Sequence, residues 1–412
     1  MSFILSMAWK NLLRYRRRTL ITAAAIAVAL AMYIWIDAWL QGMTLQTERN
    51  LVRYQTGVYL IMDPDGWEQR KQLPLNYGLA DPAAVMNALQ AAGFTSSSRI
   101  SFAAEAFFSE GSLLIHMVGI DPFQDARVFD LEQTLVAGRY LRSAEEAVVV
   151  GTLLADKLGA GLGDTLSLRC RTRHGAFQTM DLEIVGIINS PNPTINGGFG
   201  YAPIDLIDEV LAMGGEVTEI VVAEPDWKKT DQQIGIIASL LSARFPGLKV
   251  YSWKDQAKGS ISIMRIGTAR SSVFLFVAFI IAAVGISNTM LMSVSERSRE
   301  IATMRAMGTD SRTIRFSFLL EAGLIGLIGS IGGIVLGAAL VLWINRWGVD
   351  LSRLIGDTNM GLPISGVFRG AWHPVSMGYA LLFGIAASMF FSIFPVSRAL
   401  RRDIPRNLRQ QQ

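Results

Sequence analysis

Residue types that could perform covalent or metal chemistry are few and scattered in this chain of 412 residues. The single cysteine is Cys170, and the histidines are His116, His174 and His373. Nucleophilic hydrolysis requires a base beside a serine or cysteine, and zinc requires clustered His, Cys or carboxylate ligands. No histidine has a metal-ligand spacing, so we interpret each as a polar surface or loop residue. The sequence therefore predicts no catalytic residue, no metal site and no bound cofactor.

A charged string, residues 295–308, offers recognition chemistry instead. It lies between two apolar stretches of membrane length, so it must be a short loop on one face of a bilayer. Ile301, Met304 and Met307 recur at helical spacing, and Gly308 is placed to end the helix. A solvated loop that merely anchors topology is one interpretation, and a helix inserted into a partner is the other. The residues assigned to partner contact are Glu296, Arg297, Glu300, Met304, Arg305, Met307 and Gly308.

The elements that position this string are membrane spans. Hydrophobic residues make up 51% of the chain, which is too apolar for an ordinary soluble protein and too polar for a chain buried in lipid throughout. Stretches long enough to cross about 30 Å of hydrocarbon occur four times. The predicted organisation is 1–18 amphipathic helix, 19–42 first span, 43–270 outer domain, 271–294 second span, 295–315 coupling loop, 316–345 third span, 346–375 short outer loop, 376–397 fourth span and 398–412 basic tail.

Arginines indicate the orientation of these spans. They are concentrated before the first span, between the second and third, and after the fourth, so the positive-inside rule places these segments and both termini in the cytoplasm. The net charge of +4 is then mostly a topology signal, and no nucleic-acid-binding motif accompanies it. Asp37 is the unusual charge in the first span. Because it lies near the outer end, we interpret it as snorkelling to the interface.

The outer segment is predicted to be mixed α/β. A strand at Gly57–Met62 is followed by a helix at Asp81–Ala92, which is started by Asp81 with Pro82 in its first turn. At the other end of the segment a strand at Glu219–Ala223 and a helix at Thr230–Phe245 repeat this order, and the two ends are expected to form one subdomain close to the membrane. Between them lies a second, strand-rich subdomain, with strands at 116–120, 147–150, 165–169 and 182–188 and helices at 152–158 and 203–213. The fold class is an α-helical membrane protein with four transmembrane helices and a large extracytoplasmic α+β domain.

Three motifs give the chain a family resemblance. Residues 299–308 match an Arg-Glu-Ile-x-x-x-Arg-Ala-x-Gly string, the third span is rich in glycine, and the chain contains Pro395-x-Ser-Arg-Ala-Leu-Arg-Arg-Asp-Ile-Pro-x-x-Leu-Arg409. Together they resemble the FtsX/MacB-like ABC transporter permease superfamily, with its MacB-like periplasmic core domain. The resemblance implies a bacterial inner-membrane protein whose coupling helix docks on a separate ATPase. Two copies of that ATPase would bind ATP and Mg, and a second permease, identical or homologous, would complete the complex.

The outer domain most resembles the lipoprotein-releasing branch of that superfamily. Val118-Gly-Ile-Asp-Pro122 carries much of the likeness, and Ala137-Gly-Arg139 and Val185-Gly-Ile187 add to it. The branch implies extraction of lipoproteins from the outer leaflet of the inner membrane by mechanotransmission. In such transporters acyl chains lie between the first and second spans. The residues expected there are Trp39, Leu40, Met43, Ile263, Ile266 and Phe274.

A hairpin at residues 170–178 departs from the branch, because the carrier-recruiting member has a long, proline-containing hook there. Here Arg171, Arg173 and Phe177 form a small basic tip with one aromatic, either a contact for a periplasmic carrier or adaptor or an ordinary turn. Export of a small molecule or peptide through a periplasmic adaptor is the alternative function. A further alternative is an FtsX-like regulator of a periplasmic enzyme that transports nothing.

Overall fold

The computed structural model describes residues 10, 12 and 14 and residues 16–108, 111–224, 227, 230–350 and 367–400. Most of the predicted N-terminal amphipathic helix, residues 351–366 of the short outer loop and the tail beyond residue 400 lie outside the described residues. The chain divides into two compact units, each described by itself. The helical unit includes Ile263–Val349 and the ends of the chain, and the α/β unit includes Leu45–Ser262.

Helix α1 (Arg16–Leu51) begins the described chain and is followed by a π-helical turn, Val52–Thr56. The α/β unit then contains ten strands and several short helices. In chain order these are β1 (Tyr59–Met62), α2 (Pro64–Glu68), α3 (Pro82–Ala91), β2 (Thr95–Phe108), β3 (Gly111–Ile120), α4 (Pro122–Asp125), β4 (Leu135–Gly138), β5 (Ala147–Gly151), α5 (Thr152–Leu158), β6 (Thr165–Arg171), β7 (Phe177–Ile188), α6 (Pro193–Gly198), β8 (Phe199–Pro203), α7 (Ile204–Leu211), β9 (Glu219–Ala223), α8 (Thr230–Arg244), β10 (Lys249–Ser252) and α9 (Trp253–Gln256).

One ten-stranded sheet runs through the α/β unit in the order β10-β1-β9-β2-β3-β8-β5-β7-β4, with β6 pairing to β2 and β7. The strands from the two ends of the segment pair as β10-β1-β9, as the sequence predicts. Strand β2 then joins them to the rest, so the predicted division into two subdomains is not a break in the sheet. The pairs β3–β8 and β5–β7 are parallel, and the other pairs are antiparallel.

Local signals explain several of these elements. Asp81 caps α3 by accepting a hydrogen bond from the Ala84 backbone N–H at 2.9 Å, and Pro82 occupies the first turn, as predicted.

The prediction that His116 is a surface or loop residue is wrong. It lies within β3, and its ring stacks on Phe199 with the centroids 4.4 Å apart. The apolar core beside the sheet includes Leu60, Val118, Ile120, Phe129, Leu131, Val149, Tyr201 and Val221.

The helical unit is completed by long helices. They are α10 (Lys258–Glu296), α11 (Ser298–Ala306), α12 (Ser311–Trp347) and α13 (Pro374–Leu400), and the short strands β11 (Val349–Asp350) and β12 (Val367–Phe368) lie between the last two helices. Among the described residues, three helical stretches are long and apolar enough to cross a membrane: Arg16–Thr56, Ser311–Trp347 and Pro374–Arg398. The predicted second span, 271–294, lies inside α10 but is not one of the three. The count of four spans stays a prediction.

Glycines of α12 form a stripe against α1. A Cβ added to Gly329, Gly333 or Gly337 would lie 2.8–2.9 Å from the Cβ of Ile26, Leu30 or Ile34, respectively. Both sets of residues recur every four positions, so they lie on facing sides of the two helices. Small residues allow such close approach where lipid gives no hydrophobic drive between helices. Outward-facing residues of α12 such as Leu342 and Trp343 are exposed apolar side chains, as lipid contact requires.

Replacing Gly333 by alanine should destabilise the helical unit by about 1–3 kcal/mol, because overpacking forces neighbouring atoms apart. The added methyl group would also lie 3.0 Å from the backbone oxygen of Ala27. The measurement is thermal unfolding in detergent. The matched control is Gly378→Ala in α13, where no atom lies within 4 Å of the added carbon and no destabilisation is expected. Equal unfolding temperatures for the two variants would contradict the close packing.

Candidate functional site

The charged string is a separate short helix in the structure. Helix α10 ends at Glu296, Arg297 leaves the helical conformation with φ −102° and ψ 15°, and α11 follows. Gly308 has φ +88°, a left-handed conformation that favours glycine, and its N–H donates to the Arg305 carbonyl at 3.0 Å. The predicted helix end at Gly308 is therefore confirmed. The break at Arg297 therefore separates the short helix α11 from the long helix α10.

One face of α11 packs against neighbouring helices and the other is open. Ile301 is buried in a cluster with Ile314 and Phe318 of α12, and Met304 packs against this cluster. Met304 is therefore partly used inside the protein, and its predicted partner contact concerns only its remaining exposed part. Met307 is 73% exposed. The open face is formed by the exposed residues Arg299, Glu300, Thr303 and Met307.

Arg297 was assigned to partner contact, but the structure places its side chain inside the protein. It is 4% exposed. Its Nη1 donates to Glu321 Oε2 at 3.1 Å, and its Nε donates to Glu300 Oε2 at 2.9 Å. The guanidinium also lies 5.2 Å from the Phe318 ring centroid. Arg297 therefore attaches α11 to α12 and offers no free surface to a partner.

Glu321 is the buried centre of this arrangement, at 1% exposure inside the predicted third span. Besides Arg297, it accepts a hydrogen bond from Ser293 Oγ at 3.4 Å and lies 3.8 Å from Arg18 Nη2. Arg18 in turn donates to Glu296 Oε2 at 2.9 Å. We call Arg18, Glu296, Arg297, Glu300 and Glu321 the charged junction. It joins α1, α10, α11 and α12.

Sequence reasoning missed Glu321, although a signal was present. An acidic residue inside a membrane span is costly unless it is paired, and it marks a functional position by default. Removing a charge from water costs several kcal/mol, and good pairing geometry is needed to offset this. The buried arginine partner satisfies that requirement. Glu321 lies five residues beyond the start of the predicted third span, and an acidic residue at that position indicates a buried cation elsewhere in the chain.

A second polar pair involves Asp37. Its Oδ2 lies 2.9 Å from His373 Nδ1, and the Asp37 side chain is 8% exposed. The Asp37 carboxylate is therefore paired with His373, whose side chain is 36% exposed, and its position at the membrane interface stays a prediction. His373 lies in the loop just before α13, which confirms its predicted loop position, and its partner is Asp37. The Ala371 N–H also donates to the Ala38 carbonyl at 2.9 Å, which attaches the start of α13 to α1.

The predicted cargo residues are only partly described. Trp39, Leu40 and Met43 are half-buried on α1, and Trp39 Nε1 donates to Met43 Sδ at 3.1 Å. The side chains of Ile263, Ile266 and Phe274 on α10 lie outside the described residues. The structure therefore places Trp39 and Met43 in contact on α1, and the meeting of the two predicted sets stays a prediction.

At the hairpin, β6 and β7 are joined by a tight turn. The Thr172 N–H donates to the Ala176 carbonyl at 2.8 Å, and Phe177 is 72% exposed. Arg173 is not a free tip cation, because its Nη2 lies 2.8 Å from Glu216 Oε2 and its Nη1 donates to the Met213 carbonyl. Arg171 is exposed, and its Nε donates to the Gly175 carbonyl. Arg171 and Phe177 are thus the exposed side chains of the hairpin, whereas Arg173 attaches the hairpin to the segment that contains Met213 and Glu216.

The described residues contain no group of three or more His, Cys, Asp or Glu side chains that could hold a metal ion. Cys170 is buried, and this burial raises the pKa of its thiol, which disfavours the reactive thiolate.

Family comparison fits this arrangement. Residues 19–232, more than half of the chain, match the family described as MacB-like periplasmic core domain, and residues 272–404 match FtsX-like permease C-terminal. The chain belongs to the FtsX/MacB-like permease family. The first range covers nearly all of α1 and the α/β unit as far as the start of α8. The second covers the charged string, α12 and α13.

The relatives of this permease include proteins named for macrolide export and proteins named for lipoprotein release. The Macrolide export ATP-binding/permease protein MacB of Bradyrhizobium diazoefficiens is 26% identical over 68% of this chain and 41% of that protein. The Lipoprotein-releasing system transmembrane protein LolC of Xylella fastidiosa is 24% identical over 69% of this chain and 70% of that protein. The permease thus spans less than half of that MacB relative. The periplasmic region of MacB from Actinobacillus actinomycetemcomitans is similar over 52% of the chain and 96% of that structure, with 16% identity and a TM-score of 0.37.

Proposed function

We propose that this permease is the membrane subunit of an ABC transporter and that α11 is its coupling helix. The observation that carries the proposal is the two-sided character of α11. Its open face is available to a partner, while the charged junction attaches it to long helices. In this proposal two ATPase subunits bind ATP and Mg in the cytoplasm and contact that face through Arg299, Glu300, Thr303 and Met307.

The junction supports transmission of movement by a direct route. Arg297 and Glu321 link α11 to α12, and Arg18 links the end of α10 to α1. Paired buried charges hold a fixed geometry because breaking one pair leaves an uncompensated charge. A displacement of α11 would therefore move α1 and α12 together. Helix α1 extends to Leu51, beyond the predicted first span, and offers a path toward the outer domain.

For cargo we propose lipoproteins, released from the outer leaflet of the inner membrane. Support comes from the motifs of the outer domain and from the LolC relative. Each buried methylene contributes about 0.8 kcal/mol, so acyl chains would supply most of the binding at Trp39, Leu40, Met43, Ile263, Ile266 and Phe274. The exposed Arg171 and Phe177 would contact a periplasmic carrier or adaptor. Export of a small molecule is the second candidate, favoured by the MacB relative.

Photo-crosslinking tests the cargo. A crosslinking amino acid at Met43 should capture an acylated protein in membranes without ATP, and ATP should reduce the yield because the cargo is released. The matched control is Val28, which is 55% exposed on the same helix and should capture bulk phospholipid. Capture of phospholipid alone at both positions would reject lipoprotein cargo. Competition at Met43 by a macrolide would instead favour the export function.

A further inference from the structure

A cavity of about 270 Å³ lies in the α/β unit against one face of the sheet. The register of the strands determines which side chains form the wall of this cavity. Arg99 of β2 is paired opposite Glu219 of β9, and Ser101 of β2 is paired opposite Val118 of β3. Directly opposed residues project from the same face of a sheet, and so do residues two positions apart on one strand. The wall residues are therefore a consequence of register: Leu60, Met62, Arg99, Ser101, His116, Val118, Phe199, Glu219 and Val221.

The rest of the lining includes the segment 67–74, which is held in a defined shape. The Trp67 ring stacks on Tyr251 with centroids 3.9 Å apart, and the Arg70 guanidinium lies 3.8 Å from the Trp67 ring centroid. Arg70 also donates to the Trp67 carbonyl at 2.9 Å. Leu73 has φ +51° and ψ +56°, a left-handed conformation that is unfavourable for a residue with a Cβ. Strain of this kind persists only where the surroundings enforce it, so the cavity is preformed.

The wall places an unused donor beside an unused acceptor. Arg99 is buried and commits Nε and Nη2 to Asp125, at 2.7 and 2.9 Å, while its Nη1 donates to no acceptor among the described residues. Glu219 Oε1 accepts from Ser101 Oγ at 2.8 Å, and its Oε2 accepts no hydrogen bond within the described ranges. Although Arg99 and Glu219 are opposite each other, each has a different primary partner. A ligand could therefore accept a hydrogen bond from Arg99 Nη1 and donate one to Glu219 Oε2.

The electrostatic balance of the wall selects a neutral group. Burial raises the pKa of the Glu219 carboxyl, which weakens its preference for a cation. Burial and the charge of Arg99 lower the pKa of His116 to about 4, so the imidazole is neutral at neutral pH. Its Nε2 is buried without a hydrogen-bond partner among the described residues. The remaining wall is largely apolar, at Leu60, Met62, Val118 and Val221.

We propose that this cavity binds a small uncharged molecule with an apolar body and one carboxamide or peptide group. The carbonyl oxygen of that group would accept from Arg99 Nη1, and its N–H would donate to Glu219 Oε2. The apolar body would contact Val118, Val221 and Phe199. This site is independent of the proposed coupling to an ATPase, since every lining residue belongs to the α/β unit.

Ligand-observed saturation-transfer NMR on the full-length permease in nanodiscs tests the proposal. The probes are benzamide, benzoate and benzylamine, which share a ring and differ in the group offered to Arg99 and Glu219. We expect benzamide to give the strongest signal. Val118→Phe should abolish it by filling the cavity. The control Leu114→Phe, at a position 73% exposed on the same strand, should leave it unchanged.

Glu219→Gln should weaken benzamide binding by about tenfold, because a hydrogen bond to a charged group is stronger than one to a neutral group. The substitution keeps an oxygen that Ser101 can bind, and the unfolding temperature reports whether each variant remains folded. Equal or stronger binding of benzoate or benzylamine would overturn the proposed selectivity. Binding of benzamide to folded Val118→Phe, or no binding of any probe to the unmodified permease, would overturn the site.

Discussion

Replacing Glu321 by leucine is expected to lower the free energy of unfolding by about 3–5 kcal/mol, because it leaves the buried Arg297 without its buried carboxylate. Arg297 is 4% exposed, so water cannot compensate for the loss. Thermal unfolding in detergent measures the change. If the charged junction also transmits movement, ATP hydrolysis by the assembled complex should lose its coupling to transport at temperatures where the variant is still folded.

Two further variants separate the buried pair from the exposed one. Glu300→Gln removes the other partner of Arg297, but Glu300 is exposed, so a loss below about 1 kcal/mol is expected. The double variant Arg297→Met with Glu321→Leu removes both buried charges and should recover much of the stability, since an apolar pair needs no solvation. A double variant as unstable as Glu321→Leu alone would show that the ion pair is not the cause.

Replacing Met307 by aspartate is expected to separate the permease from its ATPase without unfolding it. Met307 is 73% exposed and contributes no core contact, so stability should change little. A charge at the centre of an apolar contact typically costs at least 2 kcal/mol, which weakens binding by about thirtyfold or more. Co-purification of the ATPase and ATP-driven transport in proteoliposomes should both fall.

The matched control for this variant is Phe123→Asp, which places the same charge on an exposed apolar residue of the α/β unit. Phe123 is 76% exposed, and binding of the ATPase should be unaffected. Met304→Asp is a poorer test, because Met304 packs against the cluster around Ile301. A Met307→Asp complex that retained its ATPase and its transport would remove the coupling role from α11.

Periodicity predicted much of the fold because each element carries its own signal. The strand at β9 and the helix at α5 have the predicted bounds, Glu219–Ala223 and Thr152–Leu158. Strand β2 was not predicted, since it begins with the polar run Thr95–Ser98 and shows no clean alternation. Its length of 14 residues is what joins the two groups of strands into one sheet. Pairing across such distances depends on register, which single-sequence patterns do not contain.

The candidate site shows a similar limit. The position of α11 and its end at Gly308 follow from local spacing, and both were predictable. The burial of Arg297 was not, because it depends on Glu321, which lies 24 residues further along and on another helix. Asp37 and His373 are 336 residues apart, and neither carries a local sign of the other. Polar residues in spans predict that partners exist, but their identity requires the packed helices.

The glycine stripe of α12 has a consequence for how that helix is held along its axis. Gly329, Gly333 and Gly337 repeat every four residues, and so do Ile26, Leu30 and Ile34 opposite them. A sliding step of one repeat, about 6 Å at 1.5 Å per residue, would bring most of these side chains into equivalent notches. The stripe by itself therefore permits several equivalent axial positions of α12 against α1. The charged junction at one end selects a single axial position, because Arg18 of α1 and Glu321 of α12 lie 3.8 Å apart only in this register.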